Sequence, residues 1–118
     1  MEYLALIYSD ESAWERFSDA ERAAAYEEYG EFTRAAGDAG VLLGGAELGP
    51  TATATTVRVR GGRQLVTDGP YAEVKEALGG YFVLDCESLD DALAWAARIP
   101  GASHGAVELR QVHLDGEA

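Results

Sequence analysis

Apolar residues occupy both parities of Tyr3-Leu4-Ala5-Leu6-Ile7-Tyr8 and again of Tyr81-Phe82-Val83-Leu84. A strand with one wetted face alternates apolar and polar positions, so these segments are predicted to be strands covered on both faces. Helical spacing takes over between them. Ser18 and Glu21 form a capping-box pattern, and Ala25, Tyr29, Phe32 and Ala36 recur at intervals of four, three and four residues. That spacing lays one apolar stripe along a long helix, which Gly40 ends. A similar box, Ser12 with Glu15, predicts a short helical turn through Phe17 just before it. Gly30 and Gly37 inside the long helix each cost about 1 kcal/mol against alanine, which points to close packing or an early end.

Val41-Leu42-Leu43 begins another strand, and Gly44-Gly45 marks a bulge or a close approach of backbone. Thr53 to Arg60, the pair Gly61-Gly62, and Arg63 to Thr67 read as a hairpin on a tight two-residue turn. Asp68-Gly69-Pro70 signals a further turn, with Tyr71 to Leu78 irregular or briefly helical. Ser88 and Asp91 open a second helix with Leu89, Ala92, Leu93 and Ala96 on one face, closed by Pro100-Gly101. Ala106 to Val112 is a last strand near the sheet edge, and the tail from Asp115 is expected to fray. This order gives an α+β class, a ferredoxin-like βαββαβ antiparallel sheet with an inserted β-hairpin, in a single domain over residues 1–118. Two helices shelter only one face of such a sheet, so a second copy packed sheet to sheet is expected to cover the other, leaving a pocket in each subunit of a homodimer. The competing arrangement is a monomer whose hairpin folds over the open face.

Composition narrows the function classes. With 21 acidic against 9 basic residues the chain of 118 carries −12. It therefore lacks the basic patch that neutralises phosphates, and neither nucleic acid nor an anionic membrane is an expected partner. Apolar residues make up 47%, enough for a packed core. The early apolar run is too short for a signal peptide or a bilayer span, so a cytoplasmic location is expected. Cys86 has no partner for a disulfide, and His104 and His113 stand apart from any zinc-type ligand cluster, so no metal is expected. Gly44-Gly45 and Gly79-Gly80 lack the strand, GxGxxG and helix context of a dinucleotide site, so no cofactor is expected either.

Candidate chemistry then rests on a few side chains. Asp68 could orient a donor or act as a base, although an Asx turn ahead of Gly69-Pro70 is its plainer role. Tyr29 lies on the helix face that meets the sheet, either as packing or as a phenol aimed into a pocket. His104, in the loop Ser103-His104-Gly105, is a candidate proton acceptor, with a solvated loop residue as its plainer role. Glu73 and Lys75, beside Glu76, and Tyr81, following two glycines, are candidate substrate contacts, with exposed ion pairing and core packing as their ordinary alternatives. Two acids flank Cys86, which raises a thiol's pKa and weakens it as a nucleophile.

The run Asp68-Gly69-Pro70-Tyr71-Ala72-Glu73-Val74-Lys75-Glu76, followed by Leu78-Gly79-Gly80-Tyr81, resembles the DGPF segment of YCII-related proteins, with Tyr71 where Phe is usual. The opening strand, Thr53 to Arg58 and Gly105 to Arg110 are also similar to that branch, so the likeness covers nearly the whole chain. The resemblance implies a ferredoxin-like dimeric α/β barrel, often found near or fused to sigma factors, with no general activity assigned. In the wider family a His on the first long helix, paired with an Asp, is a proposed catalytic dyad, and one relative is a dehydrochlorinase acting on a chlorinated hydroquinone. Counting back from Gly40 puts Tyr29 in the place of that His. A phenol, with an ordinary pKa near 10, donates a proton readily and accepts one poorly at pH 7. The expected function is binding of an unidentified small molecule, as a cofactor-independent lyase or isomerase using Asp68, Tyr29 and His104. The rival is a non-catalytic ligand-sensing or protein-interaction module linked to a sigma factor.

Overall fold

The computed structural model describes residues 1–114. Six strands and three α-helices follow in the order β1 (Glu2–Asp10), α1 (Glu11–Glu15), α2 (Asp19–Asp38), β2 (Leu42–Glu47), β3 (Thr55–Arg60), β4 (Arg63–Asp68), β5 (Glu76–Asp85), α3 (Leu89–Ala96) and β6 (Ala106–Gln111). One-turn 3₁₀ segments at Thr51–Thr53 and Pro100–Ser103 join them. β2, β5, β1 and β6 form one antiparallel sheet in that order, and β3 with β4 forms a separate ribbon. This is the ferredoxin-like topology with an inserted hairpin, and the two strands apolar at both parities are the central pair.

Side chains alternate across β1. Tyr3, Ala5 and Ile7 are buried under the helices with Phe32, Ala36, Leu84, Ala92 and Ile99, whereas Leu4, Leu6 and Tyr8 face the other way. Tyr81 and Val83 of β5 pair with Leu6 and Leu4 and share that second face. The ribbon does not cover it. Every residue of β3 and β4 except Thr56 is exposed, and the molecule is 18 Å thick through its Cα atoms, which leaves no room for a further layer about 10 Å away.

Local chemistry fixes the helix ends. Both halves of the capping box are present on α2, with Glu21 N–H donating to Ser18 Oγ at 3.1 Å and Ser18 N–H to Glu21 Oε1 at 3.0 Å. At its other end Gly40, at φ 71°, lets Val41 N–H reach the Ala36 carbonyl and Gly40 N–H the Gly37 carbonyl, a Schellman closure. The short helix starts two residues earlier than its sequence pattern predicts. Asp10 and not Ser12 caps α1, accepting from both Ser12 N–H and Ser12 Oγ, because the end of β1 runs straight into the helix.

Three expectations are corrected. Glu76 to Leu78, expected to be irregular or briefly helical, belongs to β5, and Gly79-Gly80 lies within that strand as a bulge opposite the register shift at Ile7/Tyr8. On α3 only Ala92 and Ala96 of the apolar stripe are buried, while Leu89 and Leu93 are half exposed. The alanines let the helix sit close to the sheet, and the leucines fall on the rim of that contact. Gly30 and Gly37 are neither tightly packed nor helix-ending, since α2 runs on to Asp38 and a methyl group at either position would meet nothing within 4 Å. Gly30→Ala is therefore expected to raise stability by about 0.5–1 kcal/mol, read as a higher urea midpoint at unchanged m value. Gly45 is the contrary case, because a Cβ there would lie 2.5 Å from Phe82 Cδ1 and 2.6 Å from the Tyr81 carbonyl oxygen. The close approach predicted for Gly44-Gly45 is at this residue.

Candidate functional site

The end of the sheet where β1 stops and β5 and β6 begin gathers most of the polar candidates. α2 carries Tyr29 across to the Pro100–Ser103 turn, where Gly101 is buried against it. A Cβ on Gly101 would stand 2.7 Å from both Tyr29 Oη and Ile7 Cγ2, so glycine is what admits the phenol. Burial pushes the Tyr29 hydroxyl above the ordinary tyrosine range, with Glu47 and Glu28 adding to the rise and the Gly101 backbone N–H opposing it. At neutral pH this group keeps its proton and can donate a hydrogen bond.

The same turn holds His104. Its N–H donates to the Gly101 carbonyl at 3.2 Å, and Gly105 N–H shares that acceptor at 2.9 Å. Ser103 Oγ donates to the Pro100 carbonyl at 2.9 Å. The imidazole of His104 is exposed. Between α2 and the turn runs an open groove of about 410 Å³ with Phe32, Ile99 and Pro100 as its apolar floor. Glu28 and Glu31 line one wall, and Arg98 and Ser103 the other. Arg98 is held in place by its guanidinium stacking 4.4 Å above the Trp95 ring.

Asp68 is elsewhere. It is exposed at the last position of β4, opposite Thr55, and Gly69 N–H closes the foot of the hairpin on the Ala54 carbonyl at 2.7 Å. Among the described residues no hydrogen bond or ion pair joins Asp68 to Tyr29 or His104. Thus the structure brings two of the three catalytic candidates, Tyr29 and His104, to one turn and places the third at the foot of the hairpin. Lys75 lies close enough to Asp10 to help hold its carboxyl below the ordinary range, an effect led by the hydrogen bonds from Ser12. Glu73 is exposed in the segment before β5, and Tyr81 stands half-buried on the open sheet face between Leu6 and Ala46.

That open face also carries a polar chain that sequence reasoning missed. Tyr8 Oη donates to Glu108 Oε1 at 3.2 Å, and Glu108 Oε2 accepts from Arg110 Nε at 2.9 Å. The Arg110 hydrogen bond, ahead of that from Tyr8, keeps the Glu108 carboxyl below its usual range. Only the alternation of Glu108 and Arg110 in β6 hinted that they share a face, and nothing local tied them to Tyr8. Glu28, Glu31 and Arg98 were likewise missed. The spacing of the two glutamates puts them on one side of α2, but their opposition to Arg98 is set by how α2 crosses the end of α3. Among the described residues no group of three or more His, Cys, Asp or Glu side chains is placed to hold a metal ion, and no helix is long and apolar enough to cross a membrane.

The fold and this site define a small ferredoxin-like α+β protein with an open groove at one end of the sheet. The chain belongs to the YCII-related family, whose model matches residues 1–114. It is 39% identical over 116 residues to an uncharacterized protein of Rhizobium meliloti (strain 1021), covering 97% of this chain and 94% of that one. It is also similar in structure to 5-chloro-2-hydroxyhydroquinone dehydrochlorinase from Burkholderia phenoliruptrix, solved in complex with 2,5-dihydroxybenzoquinone. That likeness spans 100% of both chains with a TM-score of 0.54 and 13% identity, so it supports the fold.

Proposed function

We propose that this chain is a cytoplasmic homodimer of the DGPF branch that binds a small hydroxylated aromatic or quinone-like molecule in the groove between α2 and the Pro100–Ser103 turn. It acts there as a cofactor-independent lyase or isomerase. The observation that carries the reading is a groove furnished with one cation and two carboxylates over an apolar floor, with the Tyr29 hydroxyl packed against Gly101, the residue that follows Pro100 of its lining. An aromatic ring rests on Phe32, Ile99 and Pro100, ring hydroxyls donate to Glu28 and Glu31, and a quinone or carboxylate oxygen accepts from Arg98. Tyr29 supplies a proton to the developing oxyanion and His104 receives one from the ring. The substrate class rests on the ligand of the structurally similar dehydrochlorinase. The dimer is supported by the uncovered apolar face of Leu4, Leu6, Tyr81 and Val83.

Thermal shift against a panel of phenols, hydroquinones and quinones, followed by turnover assays on the hits, tests the reading. Tyr29→Phe is expected to lower kcat at least a hundredfold with ligand affinity within threefold of wild type. A panel without hits, or a variant with unchanged kcat, contradicts it. The charge of −12 favours a second reading, a non-catalytic ligand-sensing or interaction module for a basic partner such as a sigma factor. A salt-sensitive complex recovered from the native cell, with no turnover of any panel member, supports that alternative.

A further inference from the structure

The β3–β4 hairpin is built as a projecting arm. Gly61 and Gly62, at φ 58° and 75°, make the tight turn at its tip. Its foot is tied down, with Thr51 N–H and Oγ1 each donating to the Glu11 carboxylate at 3.1 Å and Thr56 Oγ1 donating to the Gly69 carbonyl at 2.8 Å. The stacking of Arg58 on Tyr71 at 4.8 Å adds to this, so the arm leaves the body in a fixed direction. The register sorts its residues into two faces. Val57, Val59 and Val66 lie on one, at 57%, 62% and 59% exposure, and Arg58, Arg60 and Arg63 lie on the other together with Leu65.

An isolated two-stranded ribbon is at best marginally stable in water, and this one packs on neither face of its own sheet. The whole chain has a radius of gyration of 16.3 Å, where a compact chain of its length has about 13.5 Å. It exposes 8054 Å², where a compact monomer of its mass exposes roughly 6,200 Å². The excess is larger than the roughly 800 Å² that each partner contributes to a standard interface. Charge identifies the partner. Leu48 to Thr67 hold three arginines and no acid, so the rest of the chain sets six basic residues against all 21 acidic ones. A second copy of this chain thus offers a strongly acidic body to a basic arm.

We propose that β3–β4 is an exchanged arm, which reaches over a second copy of the chain and buries its valine face on that copy, while the long side chains of Arg60 and Arg63 at the tip reach past the edge of the ribbon to acidic groups that border the contact. The inference rests on the dimer reading above and adds the element that locks it. By two-fold symmetry each subunit gives and receives one arm. Neither arginines nor valines of the arm belong to the groove, so ligand affinity per folded subunit is not what they control.

Sedimentation and light scattering over a concentration series test the arm, on wild type, on R60E/R63E and on V57S/V59S/V66S. Near-UV circular dichroism checks that the core of each variant is native, and the exposed tip arginines can be reversed without touching the core. The expected result is a wild-type dimer whose dissociation rises at least tenfold in R60E/R63E, with weaker salt dependence, and at least a hundredfold in the valine variant. A wild-type dimer with unchanged dissociation in both variants overturns the arm and leaves the dimer standing. A wild-type chain that stays monomeric at micromolar concentration overturns both.

Discussion

Leu6→Asp is expected to leave the chain monomeric, at the 12.6 kDa of a single copy by light scattering, with its far-UV circular dichroism intact. Leu6 stands at the middle of the open sheet face, flanked by Tyr81 on β5 and Glu108 on β6. In a lone chain its side chain meets water, so a carboxylate there costs the fold little. Across a two-fold interface the same carboxylate is buried beside Glu108, whose partner Arg110 is the cation nearest in register on that face and is already engaged, which costs several kcal/mol. At about 1.4 kcal/mol per factor of ten, the dimer's dissociation constant is expected to rise a thousandfold or more. A variant that still sediments as a dimer at micromolar concentration means that the proposed sheet-to-sheet contact is wrong.

Gly105→Ala is expected to be the most damaging of the small substitutions to the fold itself. The new methyl group would collide with the Tyr8 carbonyl oxygen and lie 3.1 Å from its carbon and 3.2 Å from Ser9 Cα. All three are backbone atoms at the end of β1, so no rotamer change relieves the contact, and β6 must move away from the strand it pairs with. The expected loss is about 3 kcal/mol, seen as a lower urea midpoint. Because Gly105 also anchors the turn that holds Gly101 and His104, the surviving folded fraction is expected to bind groove ligands more weakly. Stability within 0.5 kcal/mol of wild type would show that the turn is not fixed by this contact.

The parts of the fold legible in the sequence were those written in short-range pattern. Two strands apolar at both parities declared themselves central, Gly61-Gly62 declared a hairpin, and Ser18 with Glu21 declared a helix start. What was illegible depended on distances between elements. Leu89 and Leu93 share a stripe with Ala92 and Ala96, yet which members of the stripe touch the sheet is decided by how closely α3 can approach β6. Pro100-Gly101 reads as a helix stop. That Gly101 is also the place where the Tyr29 hydroxyl lands follows only from the packing of α2 over the turn. Asp68 is a case where the turn was legible and the distance was not: its place ahead of Gly69-Pro70 reads as a turn, and only the structure puts it at the exposed foot of the hairpin, away from the Pro100–Ser103 turn.

The most direct test of the central claim is chemical-shift mapping of the wild-type protein with 2,5-dihydroxybenzoquinone. The backbone amides of Phe32, Arg98, Gly101, Ser103 and His104 are expected to shift together and saturate at one affinity. Saturable shifts confined to the open sheet face, or none at millimolar ligand, would contradict a binding site beside Tyr29.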